Sequence, residues 1–280
     1  MFELSLSFIE RGIVAAMIVG VIAPLVGAML FVRRSSVVSE SLSHVTLTGV
    51  SAGVLLAQVM ETIPMNPLYI GFGFALVGSL LIEKLRQTFH HFQDLAAPMI
   101  LSAGIGLSAV LMSISTAGYN EWYDYLFGSI ISVSPSDLRF IMITAFIVLL
   151  IFYFFQKELI IVSFDEEFAK VSGVSTKGMN FLFSILVALV ISMSMKVVGI
   201  LLVGALISLP VAASLKVARS FRQLLVWSVI LGEVAVMSGV YFSYHYSIAP
   251  GGMIVVMSVL LLLLFLLLPS LMHRKQEGSS

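Results

Sequence analysis

The chain has no cysteine among its 280 residues, which excludes disulfides, thiolate metal sites and thiol nucleophiles. Charge is also scarce: 11% of residues are Asp, Glu, Lys or Arg, against roughly 25% in soluble domains. The 15 basic and 15 acidic residues cancel, so no charge excess points to nucleic acid. There is no Gly-x-x-x-x-Gly-Lys-Ser/Thr loop, so ATP hydrolysis is not expected of this chain. No Ser/His or His-Glu-x-x-His arrangement inside an apolar run supports an intramembrane enzyme. The first residues, Met1 to Glu10, lack a basic leader and no cleavage pattern precedes Val32, so the first apolar run reads as a retained span. Little chain follows the last apolar run, which leaves no room there for a soluble catalytic domain.

Apolar sequence fills the rest: 59% hydrophobic residues and a mean hydropathy of +1.09 identify an integral membrane protein. Runs long enough to span fall at 10–32, 38–60, 66–83, 97–116, 138–155, 178–195, 197–215, 224–246 and 251–270. The sixth and seventh are separated only by Met195-Lys196-Val197 and read either as two helices with a tight turn or as a helix plus a broken or re-entrant segment. The expected fold is therefore all-α and polytopic, one transmembrane domain over 1–280 with eight or nine spans. With nine spans, the clusters Arg33–Arg34, Lys84/Arg86, Lys157/Lys170/Lys177, Lys216/Arg219/Arg222 and Arg274/Lys275 share one side. By the positive-inside rule that side is the cytoplasm, placing the N-terminus outside and the C-terminus inside. The other side keeps Arg11, Arg139 and Lys196 and an aromatic, weakly acidic loop from Tyr119 to Tyr125.

The most informative polar stretch follows the first span. Glu40 and His44 are four residues apart, hence on one face of a helix, with Ser36, Ser43, Thr48 and Ser51 adding polarity. Ionisable groups in a span are costly and usually line a pathway. A carboxylate and an imidazole are also ligands that a divalent transition metal accepts. The plainer alternative pairs Glu40 with Arg33 or Arg34 and gives His44 a helix–helix hydrogen bond. Small residues (Gly71, Gly73, Gly78, Gly104, Gly106, Gly199, Gly204) read first as close-packing points. Pro210 reads as a tolerated kink or part of a conduit wall.

In the loop after the fifth span, Phe164, Phe168 and Val171 recur at helical spacing. Asp165, Glu166 and Glu167 stand at the front and Gly173 at the end. This predicts a short amphipathic helix at about 164–174. Surface helices that rest on lipid favour Lys and Arg, so an acidic one better suits a protein partner. Secondary candidates are His245, at the outer end of the eighth span, as a metal-receiving group or an aromatic-belt residue, and His90–His91 as an exit chelate. Glu233 and Lys196 read as buried charges without an assigned partner, His273 as solvated, and Glu61, Glu121 and Asp124 as outward docking acids.

Ser39-Glu40-Ser41-Leu42-Ser43-His44-Val45, followed by Gly49 and Gly53, resembles the Gly-Asp-Ala-Leu-Ser-His pattern of permease subunits of bacterial ABC metal importers. Further stretches are similar to that family in order: Tyr125–Val133, Ser163–Gly173, Val198–Leu206, Pro210–Ala213, Ala218–Gln223 and Pro250–Gly252. The likeness is greatest to zinc-uptake permeases. The resemblance implies a homodimer around one path, two copies of a cytoplasmic ATPase and an extracytoplasmic metal-binding protein, in the bacterial cytoplasmic membrane. It also implies zinc or manganese as transported substrate, with no permanently bound cofactor. It assigns Glu40 and His44 to metal passage and the loop helix (Phe164, Asp165, Glu166, Glu167, Phe168, Ala169, Gly173) to ATPase coupling. Glu40 and Ser39 depart from the family's Asp and Gly, which puts the geometry at position 40 in question. The rival classes are an ion-coupled secondary transporter, which leaves the acidic loop helix unexplained, and a permease for a bulkier chelate, against which the Glu40/His44 pair argues.

Overall fold

Side-chain caps and prolines open the helices where the apolar runs begin. Ser134 and Asp137 form a capping box: Asp137 N donates to Ser134 Oγ at 3.2 Å and the Asp137 carboxylate accepts from Ser134 N at 3.0 Å. Asp137 also accepts from Asn66 Nδ2 at 2.7 Å, and Asn66 itself caps the neighbouring helix, so two helix starts are tied at one end of the molecule. The computed structural model describes residues 7–33, 35–59, 66–89, 92–117 and 119–277, with 93, 119–121 and 268–277 as backbone only. Arg34, Glu61, His90 and His91, and the side chains of Glu121, His273, Arg274 and Lys275, lie outside the described set.

The helices are α1 (Phe8–Val32), α2 (Ser36–Val59), α3 (Pro67–Thr88), α4 (Ala96–Ile114), α5 (Tyr119–Phe127), α6 (Pro135–Phe164), α7 (Glu166–Val171), α8 (Thr176–Val198), α9 (Ile200–Ser214), α10 (Phe221–Tyr246) and α11 (Pro250–Glu277). Eight of these are long and apolar enough to cross a membrane: α1 to α4, α6, α8, α10 and α11. The seventh expected span, 197–215, is α9, apolar but only 15 residues long. At 1.5 Å per residue it reaches about 22 Å, short of the ~30 Å hydrocarbon core. It is nonetheless central, packing against α1, α2, α10 and α11. The aromatic segment expected as a loop is helix α5, held in place by buried Trp122 and Tyr125.

Gly199 makes the α8–α9 junction possible. Its φ of +85° and ψ of 147° are open essentially to glycine alone, and this lets two helices meet with one residue between them. A Cβ on Gly199 would collide with the backbone of Leu126, Phe127 and Gly128, and one on Gly251 with the carbonyl of Val198. Backbone thus meets backbone where α5, the α8–α9 junction and the start of α11 converge. The close-packing expectation holds at Gly71, Gly78 and Gly104, whereas Gly73 and Gly106 face open space. Pro210 is buried inside α9, which continues through it.

The far end of α9 approaches the basic end of the molecule: Leu215 and Ala218 share a cavity wall with Arg33, Ser163 and Phe164. Arg33, Lys84, Arg86, Lys170 and Lys177 line a second cavity there, so these basic clusters do lie at one end. That end is the cytoplasmic one by the positive-inside rule.

Candidate functional site

The connection from α1 to α2 is too short to be a loop. Arg33 closes α1 with its N–H donating to Met29 O at 3.1 Å, and Ser36 already begins α2. Arg33 is not the partner of Glu40. Its Nε donates to Ser163 Oγ and its Nη1 to Asn180 Oδ1, each at 2.9 Å, and the guanidinium lies 4.0 Å from the Phe183 ring centroid. Burial pushes this guanidinium down to about 10, with Glu83 and Glu166 opposing the shift, so it stays charged at neutral pH. Among the described residues the one ion pair is Lys170–Glu166 at 3.3 Å, so no described cation pairs with Glu40, and the alternative partner Arg34 lies outside the described residues.

Leu42 and Ser41 turn inward on α2: Leu42 is buried, and Ser41 Oγ donates to Ala97 O of α4 at 2.8 Å. Glu40 is left exposed and His44, one turn on, half-buried. Opposite Glu40, α9 places Gly204, where even an added Cβ would stay 3.8 Å from the Glu40 Cβ. Behind His44, Gly104 of α4 comes so close that an added Cβ would sit 3.1 Å from the His44 carbonyl carbon. The pair is therefore backed by packed helix and open in front. The wider polar stripe read from the sequence divides: Ser51 Oγ is buried with no hydrogen-bond partner among the described residues, and other hydroxyls bond carbonyls. Ser39 donates to Ser36 O at 2.7 Å, Ser43 to Ser39 O at 2.8 Å and Thr48 to Gly104 O at 3.0 Å, so these hydroxyls are spent on carbonyls. Glu40 and His44 are the ionisable side chains on that face. No three His, Asp or Glu side chains gather into a metal-holding group among the described residues.

The short loop helix is α7, narrower than expected. Phe164 is the last residue of α6, because Asp165, extended at φ −151°, breaks the helix and caps the next one by accepting from Phe168 N at 2.9 Å. Gly173, at φ +81°, ends α7 in a Schellman motif, with Val174 N donating to Ala169 O at 3.0 Å and Gly173 N to Lys170 O at 3.2 Å. Ala169 is fully buried, while Phe164, Phe168 and Val171 are 61%, 59% and 89% exposed. Glu166 and Glu167 are exposed beside them. The result is an apolar tip with an acidic flank at the cytoplasmic end.

His245 is exposed at the opposite end of the molecule, stacked with Tyr241 at 6.4 Å, and is not brought to Glu40 and His44. Two charges without assigned partners in the sequence acquire surroundings. Lys196 lies 4.8 Å from the Tyr125 ring centroid and near Asp124, whose carboxyl is pushed up by burial against the opposing pull of Lys196 and Ser132. Glu233 faces Gly20 of α1, and its Oε2 is buried without a hydrogen-bond partner among the described residues. The Arg33 clamp was not foreseen. Its partners are 130 and 147 residues away, and no local pattern links them.

A family model described as the ABC 3 transport family matches residues 5–269. The high-affinity zinc uptake system membrane protein ZnuB of Haemophilus influenzae is 30% identical over 258 residues, 92% of this chain and 95% of that one. The manganese transport system membrane protein MntC of Listeria monocytogenes is 27% identical over 253 residues, 90% of this chain and 87% of that one. Among solved structures, PsaBC from Streptococcus pneumoniae in complex with Fab superposes with a TM-score of 0.81 at 25% identity, covering 93% of this chain and 91% of that one. With its eight membrane-length apolar helices and a match over nearly its whole length, the chain belongs to the ABC 3 transport family: it is a multi-pass membrane permease of a metal ABC transporter.

Proposed function

We propose that this permease carries zinc into the cytoplasm, with Glu40 and His44 as its ligands in the path. The observation that carries the reading is the Glu40/His44 pair: one face, open in front, unneutralised by any described cation. One carboxylate and one imidazole are too few to strip water from a divalent ion. Two copies of the chain about a two-fold axis would supply up to four ligands, which suits zinc in number and type. Such a set binds well enough to dehydrate the ion and weakly enough to release it. Manganese is the second reading, favoured by the likeness to a manganese-system relative beside the zinc-system one.

ATP hydrolysis belongs to a separate cytoplasmic subunit, one copy of which docks on α7 of each of the two permeases. An extracytoplasmic binding protein delivers the ion at the outer end. Closure of the ATPase pair displaces α7, and α6 and α8, against which it packs, carry the movement into the bundle. The test is uptake by vesicles containing the permease, its ATPase and its binding protein. Zinc and manganese are compared for wild type and His44→Ala. ATP-dependent zinc uptake that falls at least about a hundredfold in the variant, with the complex still assembled, is expected, since loss of a metal ligand or its support costs on that order. Unchanged uptake in the variant discards the ligand role, a manganese preference discards zinc, and uptake without the ATPase overturns the machine.

A further inference from the structure

A cavity of about 730 Å³ opens at the cytoplasmic end between α3, α6, α7 and α8. Its wall carries Arg33, Lys84, Arg86, Lys170 and Lys177 against only Glu83 and Glu166. Both carboxylates are already engaged: Glu166 pairs with Lys170 at 3.3 Å, and Glu83 Oε1 accepts from Gln87 Nε2 at 3.1 Å. Lys84 and Lys177 are exposed to the cavity with no carboxylate partner among the described residues. Arg33, on the same wall, retains a buried Nη2 with no hydrogen-bond partner among the described residues. The protein thus gathers five cations against two carboxylates and leaves an unsatisfied donor among them.

The rim of the cavity is of the opposite character. Leu80 of α3 and Phe181 of α8, each about one turn deeper into the bilayer than the lysines, are 42% and 50% exposed. Apolar surface toward the hydrocarbon and cations toward the cytosol repeat the two zones of a phospholipid. The inward extension of the cavity is lined by Val38 and Leu42, which lie on the opposite face of α2 from Glu40 and His44, so it does not join the proposed ion path. Basic pockets between membrane helices on the cytoplasmic side are suited to anionic head groups.

We propose that this cavity binds the phosphate head group of an anionic phospholipid of the cytoplasmic leaflet, with acyl chains lying along Leu80 and Phe181. The apolar rim selects a lipid over a free phosphate ion, and the excess of cations selects an anionic over a zwitterionic lipid. The site is independent of which metal is carried and of the roles of Glu40 and His44.

Native mass spectrometry of the full chain in detergent tests it, with dioleoylphosphatidylglycerol, dioleoylphosphatidylcholine and inorganic phosphate as probes. Wild type is expected to retain phosphatidylglycerol in preference to phosphatidylcholine. Lys84→Gln/Lys177→Gln is expected to lose about thirtyfold in phosphatidylglycerol affinity, the attraction of two cations near a head group, while Lys84→Arg/Lys177→Arg keeps it. Equal retention of the two lipids by wild type overturns the proposal, as does undiminished retention by the Gln variant. Binding of inorganic phosphate without a lipid preference assigns the site to a soluble anion and overturns the lipid source. Should the Gln variant fail to fold, the wild-type comparison of the two lipids alone decides.

Discussion

Asp124 shows how a single residue can carry a conflict. Its carboxyl, on α5 outside the spans, is pushed up chiefly by burial, and neither Lys196 nor the Ser132 hydroxyl fully offsets that. A carboxyl whose folded value is raised favours the folded state while protonated and loses that contribution as pH rises through the folded value. Asp124→Asn removes the cost of burying the charge. The variant is therefore expected to unfold at a higher temperature than wild type near neutral pH, with the gap closing as pH falls through the carboxylate range. Thermal unfolding in detergent across that range checks this, and a variant less stable than wild type at neutral pH would show that the Lys196 attraction outweighs burial. The residue scale also corrects the first reading of α2. Position and residue type suggested a wide polar stripe, but hydroxyls within a helix can bond carbonyls one turn back, and here Ser43 and Thr48 do while Ser51 does not. Glu40 and His44 have side chains too long to be absorbed that way.

At the scale of elements, α7 and α9 behave oppositely. Helix α7 is legible because everything that makes it is local: an N-capping Asp165, a left-handed Gly173, and apolar residues at helical spacing. The residues proposed to dock the ATPase are solvent-exposed, so their truncation should cost the permease fold within roughly 0.5 kcal/mol. Phe168→Ala with Val171→Ala is expected to leave the permease folded and monodisperse while weakening ATPase capture about tenfold or more, the loss of an interface anchor. Pull-down of the purified ATPase measures it, and undiminished capture would remove α7 from the interface. Helix α9, by contrast, carries a local hint of an incomplete span in the short Met195-Lys196-Val197 separation, but no local signal that it is central. Its apolar run differs little from the others, and only the meeting of Gly199 with the α5 backbone shows where it starts.

The arrangement of the whole molecule decides whether the ion path is shared between two copies. A chain without cysteine allows a direct test, since Glu40→Cys introduces the single thiol. If Glu40 faces a two-fold axis, a short bismaleimide applied to membranes containing Glu40→Cys should convert the band to a covalent dimer. Failure to cross-link in the assembled transporter would place Glu40 away from the axis and remove the four-ligand site.

The sequence by itself determined the membrane class, eight of the nine expected spans, their orientation and the face that bears Glu40 and His44. Those follow from transfer free energy, charge asymmetry and the helical repeat, all of which act along the chain. Tertiary structure alone decided that Arg33 binds Ser163 and Asn180 and not Glu40, that Gly204 of α9 lies against the base of Glu40, and that five separate cations surround one cavity. In a bilayer, where neighbouring helices and lipid are equally apolar, hydropathy says that a helix spans but not which helix it meets. Close packing of small residues and buried hydrogen bonds make that choice, and those partners lie far apart in the chain.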